Sequence, residues 1–450
     1  MSEDLDRAAS SAAAGKPAGP TEQPPELGKA MWGLTGARPG LRMAAKFARR
    51  NAMSAVFLAS RLSRRDKRVW LFGNHKGFRD NPRYLAEHIV AEHPEIEVWW
   101  QARSRREAEA ARAAGLKVVL RSSRTSARLH LRAGVAFLCS GFMDLRVPRL
   151  GGAYIVHLYH GTALKRISLD VDFERFVSGS RFGRWYAARQ HAGLQSRHRR
   201  VSMVVAAGEL ARRRFETAFG LPPERIPILG TPRFDVILGG PAYRRVAGDD
   251  LRGRLGIGAA DHLVLWLPTW RESGDAGWLP AVDRAAVDKA LGGSKVRMLV
   301  KPHPYADFDV YRQRLPDHPA LRLLREDDTD VNALLHIADT LVTDYSSAMF
   351  DYALLHRPIH FFAPDAAEYT EGRGFYEPYD ELTGGHQHLA WGTLLPALRE
   401  AAEGTDAAGL AMAERIAALA GNCEEPGNNE RIFRAVAEAA GVPLPDGRTA

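Results

Sequence analysis

Only two cysteines, Cys139 and Cys423, occur in 450 residues, which excludes a disulfide framework, and neither has neighbours at a zinc-ligand spacing. No apolar run reaches the roughly 18 to 20 residues that cross a bilayer, and the N-terminus is acidic and Ala/Ser-rich rather than signal-like. These absences lead us to expect an intracellular protein. There is no Gly-x-x-x-x-Gly-Lys-Ser/Thr run, and no Gly-x-Gly-x-x-Gly follows the first strand of either domain, so neither a P-loop nucleotidase nor a dinucleotide dehydrogenase is indicated. No short-period repeat is present.

What is present is a strong charge asymmetry. The net charge of +9 divides into 41 Lys and Arg against 21 Asp and Glu over residues 1–240, and 21 against 32 over residues 241–450. A basic half of this kind suits an anionic partner, whether acidic lipid, a polyanionic polymer or nucleic acid. Residues 1–38, rich in Ala, Gly, Pro and Ser without hydrophobic period, are expected to be disordered. Residues 39–68 differ: between Leu41 and Arg68 nine Lys and Arg face one acid, Asp66, among Met43, Phe47, Phe57, Leu58 and Leu62. That pattern fits a basic amphipathic helix lying on a membrane surface, or an ordinary helix packed on the first domain.

From Val69 onward strands and helices alternate. Apolar runs at Val69–Gly73, Glu97–Trp100, Lys117–Leu120, Val135–Cys139, Tyr154–Leu158, Val201–Ala206 and Ile226–Leu229 read as strands. A Gly/Pro-rich break around Gly230–Pro241 precedes a second set at Leu263–Leu267, Arg297–Val300, Leu321–Leu324, Thr340–Val342 and Ile359–Phe362. Helical stretches such as Tyr84–His93, Asp330–Ala338 and Met349–His356 lie between them. The alternation predicts an α/β chain of two Rossmann-like domains, 69–240 and 241–440, with a tail over 441–450 and a ligand cleft between the domains.

Polar islands sit at the predicted carboxyl ends of strands, where open α/β sheets bind ligands. The first, His157-Leu-Tyr-His160-Gly161-Thr162-Ala-Leu-Lys165, exposes a histidine able to take a proton near neutral pH. In Gly230-Thr-Pro-Arg233-Phe-Asp235 the arginine can anchor a phosphate or pair with Asp235. Leu267-Pro-Thr269-Trp-Arg271 adds a hydroxyl and a cation, and Lys301-Pro-His303-Pro holds a lysine and an imidazole on a proline-braced turn. Asp344-Tyr-Ser346-Ser347 opens a helix whose first N–H groups suit a phosphate, or whose serines serve simply as caps. The pairs Asp170/Asp172 and Asp307/Asp309 have a spacing common by chance, and no metal is assigned.

The islands HGTALKRI, GTPRFD, LPTWRES, VKPHP, VTDYSSAMFDYALLHRPIHFF and GRGFYEPYDEL, with GFRDNPRYLAEHIV at 77–90, resemble in kind and order the CDP-glycerol glycerophosphotransferases, the teichoic-acid primase and polymerase family also found in capsule polymer synthesis. The resemblance implies a GT-B-like fold of two facing Rossmann-like domains. It further implies a CDP-glycerol or CDP-ribitol donor, a lipid-linked or polyol-phosphate acceptor, no nucleic acid, and peripheral association with the cytoplasmic face of the membrane. Carried over to matching positions, His160 is the general base and His303 binds the donor pyrophosphate and helps CMP leave. Ser346 and Ser347 hold phosphates, supported by Gly161, Thr162, Lys165, Arg233, Thr269, Arg271, Lys301 and Asp344. No cofactor is assigned. Ala163, where the family commonly has Pro, and Phe234, where a small or polar residue is usual, depart from the pattern and bear on acceptor shape. The enzymatic alternative is a nucleotide-sugar glycosyltransferase of the same architecture, and the non-enzymatic one is a basic adhesion protein.

Overall fold

The computed structural model describes residues 39–172, 181–271, 276–303, 305–325, 329–371 and 374–444. Residues 1–38, expected to be disordered, and residues 445–450 of the tail expected over 441–450 lie outside the described residues.

Twelve strands are described in two wholly parallel sheets. The first holds β1 (Asp66–Phe72), β2 (Glu97–Ala102), β3 (Lys117–Leu120), β4 (Ala133–Leu138), β5 (Tyr154–His157) and β6 (Met203–Val204), ordered β3-β2-β1-β4-β5-β6. The second holds β7 (His262–Leu267), β8 (Val296–Val300), β9 (Leu321–Leu323), β10 (Thr340–Thr343), β11 (Ile359–Phe362) and β12 (Gln387–His388), ordered β12-β11-β10-β7-β8-β9. Renumbered from its own first strand, the second sheet repeats the order of the first, which is that of dinucleotide-binding folds. The chain is therefore α/β with two Rossmann-like sheets, as expected. β4, β10 and β11 are buried along their whole length, which is why they read as unbroken apolar runs instead of alternating.

Two expected elements differ, and one strand was not foreseen. Ile226–Leu229 forms only a single bridge, Ile228 with Ala206, because Pro222, Pro223 and Pro227 crowd the segment and withhold ladder donors. The helix after Ser347 is α-helical only over Ala348–Tyr352 and tightens to a 3-10 turn over Ala353–Leu355, stopped by His356 at φ 50°. β12, two residues long, is too short to carry a periodic signal.

The chain separates into two compact units: Met53–Val171 with His191–Ala450, which contains both sheets, and Met1–Ala52 with Asp172–Gln190. In the smaller unit the described helical residues are joined by Arg50, whose Nη1 donates to the Arg189 carbonyl at 3.3 Å. In the larger unit one apolar cluster runs from Val69 and Leu71 of the first sheet through Phe234 to Leu265, Leu341 and Phe361 of the second. The helix Asn428–Ala440 follows the second sheet in the chain yet packs on the first, with Phe433 against Trp70 at 5.3 Å between centroids. Asp235 accepts from the N–H groups of Gly427, Asn428 and Asn429 at 2.8–2.9 Å, capping that helix from another segment.

Candidate active site

In both sheets the strand order reverses beside the first strand, between β1 and β4 and between β7 and β10, and crevices open at the carboxyl ends of such strands. In each crevice a fully buried aspartate gathers loop amides. Asp344, after β10, accepts from Thr269 N at 2.9 and 3.0 Å, from Tyr345 N at 2.6 Å and from Arg271 Nη1 at 2.9 Å. Asp144 does the same beyond β4, accepting from the N–H groups of His75, Cys139, Ser140 and Gly141 at 2.8–3.0 Å and pairing with the His75 ring at 2.9 Å. Burial alone raises the Asp144 pKa, but those donors bring it below the usual carboxylate range.

The two crevices share one cavity of about 760 Å³. His160, Gly161, Thr162, Lys165, Arg233, Thr269, Lys301, His303, Ser346 and Ser347 all line it. Arg271 and Asp344 do not: they are 6% and 0% exposed and pair with each other behind the wall. Arg271 also clasps Asp365 with two bonds of 2.7 and 2.9 Å and stacks on Trp278 at 4.1 Å, so its charge is spent on holding loops together.

His160 hangs from the loop after β5, whose reversal is made by Tyr159 at φ 52° and Gly161 at φ 123°. A Cβ at 161 would overlap Arg233 Nη2 and a side chain there would be strained, so glycine is required twice over. The His160 ring packs on Tyr159 at 4.2 Å. Burial, then Lys76 and Arg233, lower its pKa to about 3, so the imidazole is neutral.

Arg233 pairs neither with Asp235 nor with open solvent. Nη1 donates to the His160 carbonyl at 2.9 Å, and Nη2 meets Asp351 at 2.8–3.0 Å. It therefore joins the His160 loop, on the first sheet, to the helix that follows Ser347 on the second. Burial pushes the Asp351 carboxyl up to about 6, with Arg233 opposing. Lys165 Nζ donates to Tyr369 Oη at 2.6 Å beside its position on the wall. Lys301 Nζ donates to the Arg325 carbonyl at 3.0 Å. The His303 Nδ1 accepts from Tyr305 N at 3.2 Å, which places the proton of the neutral ring on Nε2. Ser346 Oγ accepts from Ala348 N at 3.3 Å as a weak cap, whereas Ser347, the N-cap residue, makes no side-chain cap bond. Among the described residues Thr162 Oγ1 and Thr269 Oγ1 are buried on the wall without a protein hydrogen-bond partner.

Sequence reasoning gave no role to several further wall residues. Lys76, Arg79, Asp80, Arg83 and Tyr84 come from one stretch after β1. Tyr84 Oη donates to both oxygens of Asp330 at 2.9 and 2.7 Å, and Asn332 Nδ2 donates back to it at 2.9 Å, a second tie between the sheets. Three cations within eight residues, Lys76, Arg79 and Arg83, were the available signal.

Residues 54–437 match the family model described as CDP-glycerol:poly(glycerophosphate) glycerophosphotransferase. The chain belongs to the CDP-glycerol glycerophosphotransferase family. It is 26% identical over 314 residues to a teichoic acid poly(glycerol phosphate) polymerase of Staphylococcus epidermidis, a match covering 68% of this chain and 41% of that protein. It is 29% identical over 236 residues to a teichoic acid glycerol-phosphate transferase of Staphylococcus aureus, covering 50% of this chain and 57% of that one. The chain thus matches less than two thirds of the length of either. The wall teichoic acid polymerase TagF has the same fold, with a TM-score of 0.67 at 21% identity over 89% of this chain and 96% of the TagF chain. The glycerophosphotransferase fold is therefore GT-B-like here as well.

Proposed function

We propose that the protein transfers a polyol phosphate, glycerol phosphate or ribitol phosphate, from a CDP-activated donor to a hydroxyl of a lipid-linked or polymeric acceptor. The observation that carries this reading is the convergence of His160, His303, Ser346, Ser347, Lys165 and Lys301 on one cavity in a member of this family. TagF, which shares the fold, has been solved after soaking with CDPG.

The acceptor oxygen attacks the phosphorus that bears the polyol, its proton passes to His160, and the bond from that phosphorus to the CMP oxygen breaks. A neutral His160 is in the right state to accept the proton, though its low pKa makes it a weak base until an anion arrives. The donor pyrophosphate supplies that negative charge and strengthens the base as it binds. His303, donating from Nε2, and the Lys301 ammonium stabilise the charge on departing CMP. Ser346 and Ser347 at the helix start, with the hydroxyls of Thr162 and Thr269, hold phosphate oxygens. Arg271 and Asp344, behind the wall, and Arg233, on the wall but bonded to the His160 carbonyl and Asp351, position these loops.

The test is a donor screen: CDP-glycerol, CDP-ribitol and UDP-sugars are offered with an acceptor, and nucleotide release and product mass are followed. We expect CMP release and acceptor growth by one polyol phosphate, lowered by about 10²-fold or more in His160→Asn and His303→Asn proteins with unchanged circular dichroism. UDP release without CMP would favour a glycosyltransferase and end this reading.

Membrane association is the second part of the proposal. Among the described residues no helix is long and apolar enough to cross a bilayer. In and just after the helix Pro39–Ser60, however, Val56, Leu58 and Leu62 are 44%, 60% and 91% exposed in a segment rich in Arg and Lys. Replacing all three with Ser is expected to weaken sedimentation with anionic liposomes severalfold while activity on a soluble acceptor persists. Unchanged sedimentation would show that this surface is not the anchor.

A further inference from the structure

Away from the cavity, two histidines and a glutamate meet at the junction of the helix Asp80–Glu92 and the helix Asn428–Ala440. His88 Nε2 and His93 Nε2 lie 3.1 and 2.7 Å from the same oxygen, Glu430 Oε2. One ligand atom from each of the three falls within 4.8 Å of the others.

The atoms behind this triad are arranged as a metal's outer shell would be. Glu430 Oε1 is already occupied by Arg434 Nε at 2.6 Å, leaving Oε2 as a single-oxygen ligand. The other ring nitrogen of His93, Nδ1, lies 3.3 Å from Glu95 Oε1. A carboxylate at Nδ1 is the usual outer-shell partner of a histidine that ligates a metal through Nε2. The His93 ring is fixed face-on to Phe433 at 3.6 Å, and both histidine side chains are only 15% exposed, so the donors are preorganised.

We propose that His88, His93 and Glu430 form a zinc site that clasps the helix Asn428–Ala440 to the first sheet's helix. Two imidazoles and one carboxylate oxygen suit zinc and not the hard cations calcium and magnesium, and leave a fourth tetrahedral position for water. Tetrahedral zinc with bonds near 2.0–2.1 Å separates its ligands by about 3.3 Å, so each imidazole moves only a few tenths of an ångström from Glu430 Oε2, and the two imidazole nitrogens already lie within 4.8 Å of each other. The site is independent of the transfer reaction.

The experiment uses tag-free, EDTA-treated, full-length protein. Titration calorimetry with zinc chloride is expected to give one site per chain, and zinc a rise in melting temperature that magnesium does not reproduce. The His93→Gln and Glu430→Gln proteins should bind zinc at least about 10-fold more weakly, the lower end of what loss of a ligand or its support costs. Cobalt(II) added to the unaltered protein should show intense visible bands of tetrahedral coordination, a readout that does not depend on a variant folding. Absence of zinc binding, wild-type affinity in both variants, or only the weak bands of octahedral cobalt would each overturn the site.

Discussion

His160 is buried against Tyr159 within reach of two cations, Lys76 and Arg233, and its behaviour with pH follows from that setting. Because its folded-state pKa is lowered to about 3, the free protein keeps a neutral imidazole throughout the range in which an ordinary histidine titrates near 6.5. On the proposed mechanism kcat/KM therefore shows no acid limb from His160 near pH 6.5, whereas the limb in kcat moves upward because the bound pyrophosphate favours the imidazolium. Rate profiles between pH 5 and 9 check this. A His160-dependent limb in kcat/KM at 6.5 or above would contradict it. Neither the neutrality of this ring nor the occupation of Arg233 was legible in sequence. The loop motif announced a histidine at a strand end, but its pKa depends on burial by the fold and then on Lys76 and Arg233, which are far from it in the chain. Likewise Arg233 looked like a phosphate anchor because its partner, Asp351, is more than a hundred residues away and its near neighbour Asp235 turned out to cap a distant helix.

At the scale of elements, the Arg233–Asp351 pair joins the loop beyond β5 to the short helix beyond β10. Both partners are almost fully buried, so removing one leaves the other as an unpaired charge or forces it to change protonation. Arg233→Ala is expected to cost about 3–5 kcal/mol in urea unfolding, and Arg233→Met with Asp351→Leu to recover most of it. A loss below about 1 kcal/mol for Arg233→Ala would show that the pair does not tie the elements. Strands were the most readable elements, since parallel strands buried on both faces leave runs such as Thr340–Val342 and Ile359–Phe362. The ends of helices were less so. The helix after Ser347 switches to 3-10 geometry because tertiary packing of Tyr352 and Leu354, not local propensity, sets its last turn.

For the whole molecule, buried histidines make acid the direction of weakness. Burial lowers His130 and His157 to about 4 and His198 to about 3, all below the unfolded value near 6.5. The unfolded chain then binds the protons first, so this stability is complete above about pH 6.5 and is lost as pH falls through 5 toward 3. Each contributes a loss of about 2 kcal/mol by pH 5, while Asp351, raised to about 6, acts in the opposite sense and offsets about 1 kcal/mol. Melting temperatures are accordingly expected to fall steadily from pH 7 to pH 5. A constant melting temperature over that interval would refute the assignment of these rings as buried and neutral.

The helix Asn428–Ala440 has a consequence for how the protein is made. Its Ile432, Phe433, Val436 and Ala437 complete the face of the first sheet on which Trp70 and Phe137 lie. During synthesis that face emerges early, and although Leu85 and Ile89 cover part of it, the remainder stays open until the entire second sheet has been translated. For all that time an apolar surface is open to chaperones or to other nascent chains. The first half is thus committed to waiting for the second, and a ribosome that stalls before Asn428 releases a product inclined to aggregate even though every strand of both sheets is present.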